Sequence, residues 1–269
     1  MCQCESKVNR VATHEFERLT VALEGAVANI TLNHPPLNVI DIPLMEELAS
    51  ALAEIRTQPQ TSVVILRGAG ACFSAGVDVA AHAPEKVTAM LDKFHTVVHS
   101  LVSTEKVTIA AVHGHCLGGG AELAMVCDLV YTTEDAQWGF PEIRLGCFPP
   151  VAATALSVMV GHKRATELIL TGRTISGREA AATGLANETA VSLDQLAQRV
   201  NDTARRFMEL SPMSLSLAKK AIYVWDASHF DKGLARAEKI YLSELMKTDD
   251  AQEGIRAFLE KREPRWMGR

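Results

Sequence analysis

The chain has 269 residues, of which 48% are hydrophobic, 22% charged and 5% aromatic, with 27 basic against 32 acidic side chains and a net charge of −5. This size and balance give one large domain or two smaller ones with a sizeable core, and they exclude global disorder, collagen and coiled coil. The mild acidity argues against a dedicated nucleic-acid binder, no apolar run nears the roughly 20 residues that span a bilayer, and the first 14 residues lack the apolar stretch of a secretory signal.

Residues 16–33 read as a hairpin, with β-rich runs at 19–23 and 27–32 around a turn at Glu24-Gly25. His34-Pro35-Pro36 closes it. Asp41 is a helix N-cap with Pro43 in the first turn, and Leu44, Leu48, Ala51, Leu52 and Ile55 keep helical spacing behind it. Residues 63–66 form a short, wholly apolar run that suits a buried strand. A loop of small residues spans 68–78. A long amphipathic helix follows, marked by Val87, Met90, Leu91, Phe94, Val97, Val98 and Leu101. The alternation then repeats with a buried strand at 108–112, a glycine-rich loop at 113–120, a short helix at 121–127 and a strand at 129–132. Ser176-x-x-Glu179 and Ser192-x-x-Gln195 are capping boxes. From residue 193 onward only helical patterns remain. The chain therefore divides near residue 200 into an alternating β/α body, 1–200, and an all-helical tail, 201–269.

Six cysteines, at 2, 4, 72, 116, 127 and 147, form no disulfide framework, and Cys2-Gln3-Cys4 lacks the further Cys or His ligands a metal requires. Reduced thiols of a cytoplasmic protein are the expectation. The string Gly114 to Gly120 matches neither G-x-G-x-x-G nor a phosphate-binding loop with G-K-[ST], and no G-x-S-x-G elbow occurs.

Two loops carry the chemical signal. Cys72-Phe73-Ser74-Ala75-Gly76-Val77-Asp78 and His115-Cys116-Leu117-Gly118-Gly119-Gly120-Ala121-Glu122 each follow a buried strand and combine little side-chain bulk with a helix start. Such places free backbone N–H groups to face an anion or a carbonyl oxygen; the same glycines also serve tight turns and close packing. Glu122, and Glu142 in Trp138-Gly139-Phe140-Pro141-Glu142, stand beside apolar residues, where a carboxyl is pushed toward a pKa useful for acid/base work. His113 and His115 read as structural.

These strings, together with "LTGRTISGREAAATGL" and "EGIRAFLEKREPRW", resemble the crotonase (enoyl-CoA hydratase/isomerase) superfamily over nearly the whole chain. The resemblance implies an α/β fold, a spiral of stacked β-β-α units with an all-helical C-terminal trimerisation region, assembled as a homotrimer or a homohexamer (a dimer of trimers). It implies an acyl-CoA thioester as substrate, with coenzyme A as part of that substrate and no metal or redox cofactor. Carried onto this chain, the oxyanion donors are the backbone amides of Val77 and Gly119. The two-glutamate hydratase type is matched by Glu122, as base on the attacking water, and Glu142, as acid toward Cα. CoA is expected along Pro36, Leu37, Ala75 and Leu117, with Phe258 and Lys261 reaching in from a neighbouring subunit.

Two departures stand out. A basic residue that the family often carries is missing at His34-Pro35-Pro36-Leu37-Asn38. Where hydratases of simple acyl chains have glycine, Cys147-Phe148-Pro149-Pro150-Val151 puts proline, which has no N–H, so an amide expected to hold Glu142 or its water is absent at Pro150. These features are similar to hydratases of cyclic dienoyl-CoA thioesters from aromatic-acid degradation. The alternatives are a linear enoyl-CoA hydratase of fatty-acid oxidation, an enoyl-CoA isomerase, and an RNA-binding crotonase homologue using the basic pairs Arg205-Arg206 and Lys219-Lys220.

Overall fold

A computed structural model describes residues 16–268. Strands β1 (Leu19–Glu24) and β2 (Val27–Leu32) form the expected antiparallel hairpin. Helix α1 (Ile42–Arg56) starts at Asp41, whose carboxylate accepts the Leu44 N–H at 2.9 Å, and it buries the apolar stripe read from its spacing. Strand β3 (Val63–Gly68), helix α2 (Val87–Ser103) and strand β4 (Val107–Val112) follow. Next come β5 (His115–Leu117), α3 (Gly119–Met125), β6 (Leu129–Thr133) and β7 (Gln137–Gly139). After a 3-10 turn at Pro141–Leu145 come α4 (Pro150–Val160), α5 (His162–Thr171), β8 (Thr174–Ser176), α6 (Gly177–Ala182) and β9 (Glu188–Ala190). The tail is α7 (Leu193–Met208), α8 (Pro212–Ser243) and α9 (Asp249–Leu259).

The main sheet runs β1-β2-β3-β4-β6-β9, parallel after the first hairpin. Its strands are apolar at successive positions because both faces are covered. Val64 and Leu66 face the large core with α1 and α2, whereas Val63 and Ile65 face a second cluster closed by Leu196, Val200 and Ala204 of α7. The division at residue 200 thus falls inside α7, a helix of the tail that is packed on the sheet. A second, three-stranded sheet, β5-β7-β8, lies across the glycine-rich loop. Its strands are three residues each; β5 replaces part of the loop expected at 113–120, and β7 and β8 add strands to which the sequence pattern gave no assignment. Both serine caps hold, the Ser176 and Ser192 hydroxyls accepting the N–H of Glu179 and Gln195, but the reciprocal half of each box is not made: Glu179 pairs with Arg173 and Gln195 accepts from the Val191 N–H.

The tail is fastened to the body by charge as well as by packing. Lys219 Nζ of α8 reaches Asp128 at 2.8 Å in a buried pair, and Asp128 also accepts the Thr108 N–H and hydroxyl. Helix α9 lies directly on the 141–145 turn: a Cβ on Gly254 would stand 2.2 Å from the Leu145 carbonyl oxygen. Four cysteines, 72, 116, 127 and 147, are buried and free. Cys2 and Cys4 lie outside the described residues.

Candidate active site

The two small-residue loops are brought side by side by backbone pairing. Ser74 N–H donates to His115 O and Leu117 N–H to Ser74 O, each at 3.0 Å. The segment before α1 holds the first loop from behind: Asn38 Nδ2 donates to the carbonyls of Ala69, Cys72 and Phe73, and Ala75 N–H donates to Leu37 O. At the second loop Gly118 takes φ +50, a conformation open to glycine, and the chain turns straight into α3. Gly119 is the first residue of that helix, so its N–H has no intrahelical acceptor. Neither the Val77 nor the Gly119 amide donates to another described residue, and the two positions are in contact across the loops, with Val77 Cγ2 2.5 Å from where a Cβ on Gly119 would stand.

Both glutamates face this place. Helix α3 carries Glu122, which is 3% exposed, one turn in from its start. Glu142 stands on the 3-10 turn, with Oε1 against the Gly118 backbone and Oε2 shut from solvent without a hydrogen-bond partner. Burial raises both carboxyls well above the ordinary carboxylate range, and the negative charge of Glu122 pushes Glu142 up as well. Glu122 has a counterweight: its Oε1 accepts the Ala152 N–H at 2.9 Å, and the Val151 amide acts in the same direction.

This corrects the sequence reading of Pro150. Proline sits at the first position of α4, and the amides that follow it point at Glu122, not at Glu142. The helix end faces the carboxylate that α3 presents, because α3 and α4 pack together while Glu142 lies on the turn before α4.

Ala75, Val77, Leu117, Gly119, Glu122, Glu142, Pro150 and Phe258 all line one cavity of about 420 Å³. Pro36, Leu37 and Lys261 stand outside its wall, exposed; Pro36 and Leu37 belong to the segment that braces the first loop. Phe258 lines the cavity of its own chain, because α9 folds back over the 141–145 turn. Arg144 and Arg262 add positive charge at the same cavity, Arg262 being paired with Glu253 at 2.6 Å. Sequence reading passed over Phe94, Phe148, His82 and Tyr241 as cavity residues. Phe94 carried only a core signal, and Tyr241 lies in a helix far along the chain with no local motif. Burial lowers the pKa of the His82 ring, which favours its neutral form.

Such an arrangement can polarise a carbonyl with two fixed N–H dipoles while two carboxyls, both raised by burial and Glu122 less so because of its amide contacts, move protons beside it. Among the described residues no group of three potential metal ligands occurs and no helix is long and apolar enough to cross a membrane.

Known proteins bear on the same chemistry. A family profile described as enoyl-CoA hydratase/isomerase matches residues 22–269. A probable enoyl-CoA hydratase of Bacillus subtilis is 34% identical over 93% of this chain and 98% of its own. The cyclohexa-1,5-dienecarbonyl-CoA hydratase of Thauera aromatica is 35% identical over 91% of this chain and 95% of its own. The crystal structure of an enoyl-CoA hydratase from Mycobacterium avium superposes with a TM-score of 0.84, at 26% identity, over 94% of this chain and 100% of the other. The mixed sheet, the helical C-terminal region and these matches agree: the chain is a crotonase-fold member of the enoyl-CoA hydratase/isomerase family.

Proposed function

We propose that the protein is a hydro-lyase that adds water to, or removes it from, an enoyl-CoA thioester. The observation that carries this reading is the buried Glu122 and the half-buried Glu142, with its Oε2 shut from solvent, facing two free backbone amides across one cavity. The Val77 and Gly119 N–H groups hold the thioester oxygen, which gains charge as the reaction proceeds. Glu122, favoured ionised by the Ala152 and Val151 amides, takes a proton from water as the water oxygen bonds to Cβ. The double-bond electrons move into the thioester as an enolate. Glu142, held protonated by burial, then delivers its proton to Cα. Water addition is redox-neutral and draws on no further cofactor.

Ala75, Leu117, Pro150 and Phe258 contact the thioester and its CoA arm in this reading, with Arg144 and Arg262 supplying charge for the phosphates. We infer a ring-shaped acyl group, a cyclic dienoyl thioester. Its support is the rings of Phe94, Phe148, Pro149 and Pro150 in the cavity lining and the likeness to the Thauera aromatica hydratase. A role in RNA binding is disfavoured by the basic pairs themselves, because Lys219 is buried on Asp128 and Arg205 pairs with Asp202.

A panel of linear enoyl-CoA and cyclic dienoyl-CoA thioesters, followed by loss of the conjugated absorbance, tests the reading. Turnover is expected on at least one, highest on the cyclic substrate, and Glu122→Gln and Glu142→Gln are each expected to cost about 10²–10⁴-fold in kcat. A variant that keeps the parent rate sinks the two-glutamate mechanism. Double-bond migration without hydration makes the protein an isomerase.

A further inference from the structure

We infer that the Tyr241 hydroxyl holds the oxygen that is added to the substrate, as a third polar contact beside Glu122 and Glu142. The inference rests on the hydratase reading above and adds to it a residue that the helical tail, not the body, delivers. Tyr241 of α8 is 1% exposed and lines the cavity that contains both glutamates. Its ring is fixed edge-on against Phe148, with centroids 5.2 Å apart and planes at 67°. The hydroxyl itself is buried and has no hydrogen-bond partner of proper geometry. Cys147 Sγ donates to the Leu145 carbonyl at 3.6 Å and offers the hydroxyl only a weak sulfur acceptor. Glu142 Oε2 is unpartnered in the same cavity.

A buried donor and a buried carboxyl without partners are destabilising as they stand. An oxygen bonded to Cβ, between them, satisfies both. Burial, with the Cys147 thiol and the two glutamates nearby, pushes the phenol far up. The phenol is thereby favoured in its O–H form, a donor and not a base. Its role is electrostatic: in the dehydration direction the departing oxygen gains charge, and in hydration the same contact orients the entering water. The proton taken from water still goes to Glu122, and the proton added at Cα still comes from Glu142.

The test is Tyr241→Phe, which keeps the ring against Phe148 and removes only the hydroxyl. We expect kcat for the preferred thioester to fall by about 10- to 100-fold, somewhat less than the loss of a full oxyanion-hole donor, with KM changed less than threefold and a Tm equal to or above the parent's. A direct binding measurement completes it. The Kd of the hydrated product is expected to rise about tenfold, the cost of a hydrogen bond of ordinary net strength, while the Kd of a saturated acyl-CoA of the same skeleton stays unchanged. A parent-like kcat, an equal loss of affinity for both ligands, or a lowered Tm accompanying the rate loss overturns the inference. A parent chain that hydrates none of the thioesters overturns the hydratase reading instead, and this inference with it.

Discussion

Glu122 and Glu142 are the same side chain placed in two surroundings. Glu122 faces the start of α4 and accepts an amide there, while Glu142 leaves one oxygen unpartnered against the glycine-rich backbone. Both are raised above the ordinary value of 4.5 by burial. The sign of the stability linkage follows. A carboxyl raised in the folded state contributes its stability in full below its unfolded pKa and loses it as pH climbs through the folded value. Here that window opens near pH 4.5 and extends into the neutral range. Glu142→Gln cannot ionise and escapes the loss. Thermal or urea unfolding at pH 5 and pH 9 is expected to show the variant gaining on the parent by at least about 1.4 kcal/mol between the two, the worth of one pKa unit. An equal difference at both pH values means that Glu142 is not raised. The activity profile shifts in the same sense: the acid limb of kcat/KM, set by Glu122, moves up from the ordinary carboxylate range toward neutrality.

At the scale of elements, α9 shows what a local reading can and cannot supply. Its N-cap and stripe are written in adjacent residues: the Thr248 hydroxyl accepts the Ala251 N–H, and Ala251, Ile255 and Ala257 are buried. The same is true of α1, with its Asp41 cap, and of α2 and the hairpin, where period and turn carry the element. The three-residue strands β5, β7 and β8 are too short to show a period, and they exist only through pairing with one another. Glu122 and Glu142 were legible because a glycine string and a Trp-Gly-Phe-Pro string announce them. Which of the two receives the α4 amides, and that α8 supplies Tyr241, depends on packing between distant segments and left no mark nearby. Gly254 is the sharpest test of how α9 is placed. In an isolated helix Gly→Ala favours helix by up to about 1 kcal/mol. On this surface the added Cβ would stand 2.2 Å from Leu145 O, so the sign reverses. Gly254→Ala is expected to destabilise by about 1–3 kcal/mol and to lower turnover, because the displaced turn carries Glu142. Chemical denaturation measures the first and the thioester assay the second; a stabilised variant refutes the docking of α9.

For the whole molecule the question is assembly, and the surface speaks to it. Val158 of α4, Leu170 of α5, and Met213, Leu217 and Ile222 of α8 are more than half exposed, and a second cavity of about 340 Å³ opens among Val126, Val158, Met159, Leu185 and Phe230. Apolar surface of that extent, on a chain of only −5 charge, is what a partner subunit covers. We propose a trimer or a dimer of trimers, and light scattering is expected to give three or six times the chain mass. A chain that remains monomeric at micromolar concentration removes that proposal. Ile222→Lys is expected to break the assembly, because it places a charge where apolar faces meet. The activity of the dissociated chain then separates two designs of the site. If the partner's copies of Phe258 and Lys261 completed the cavity, dissociation would abolish turnover. Phe258, Arg262, Tyr241 and both glutamates line the cavity of one and the same chain. The dissociated variant is therefore expected to hydrate the thioester still, with its KM for the substrate close to the parent's.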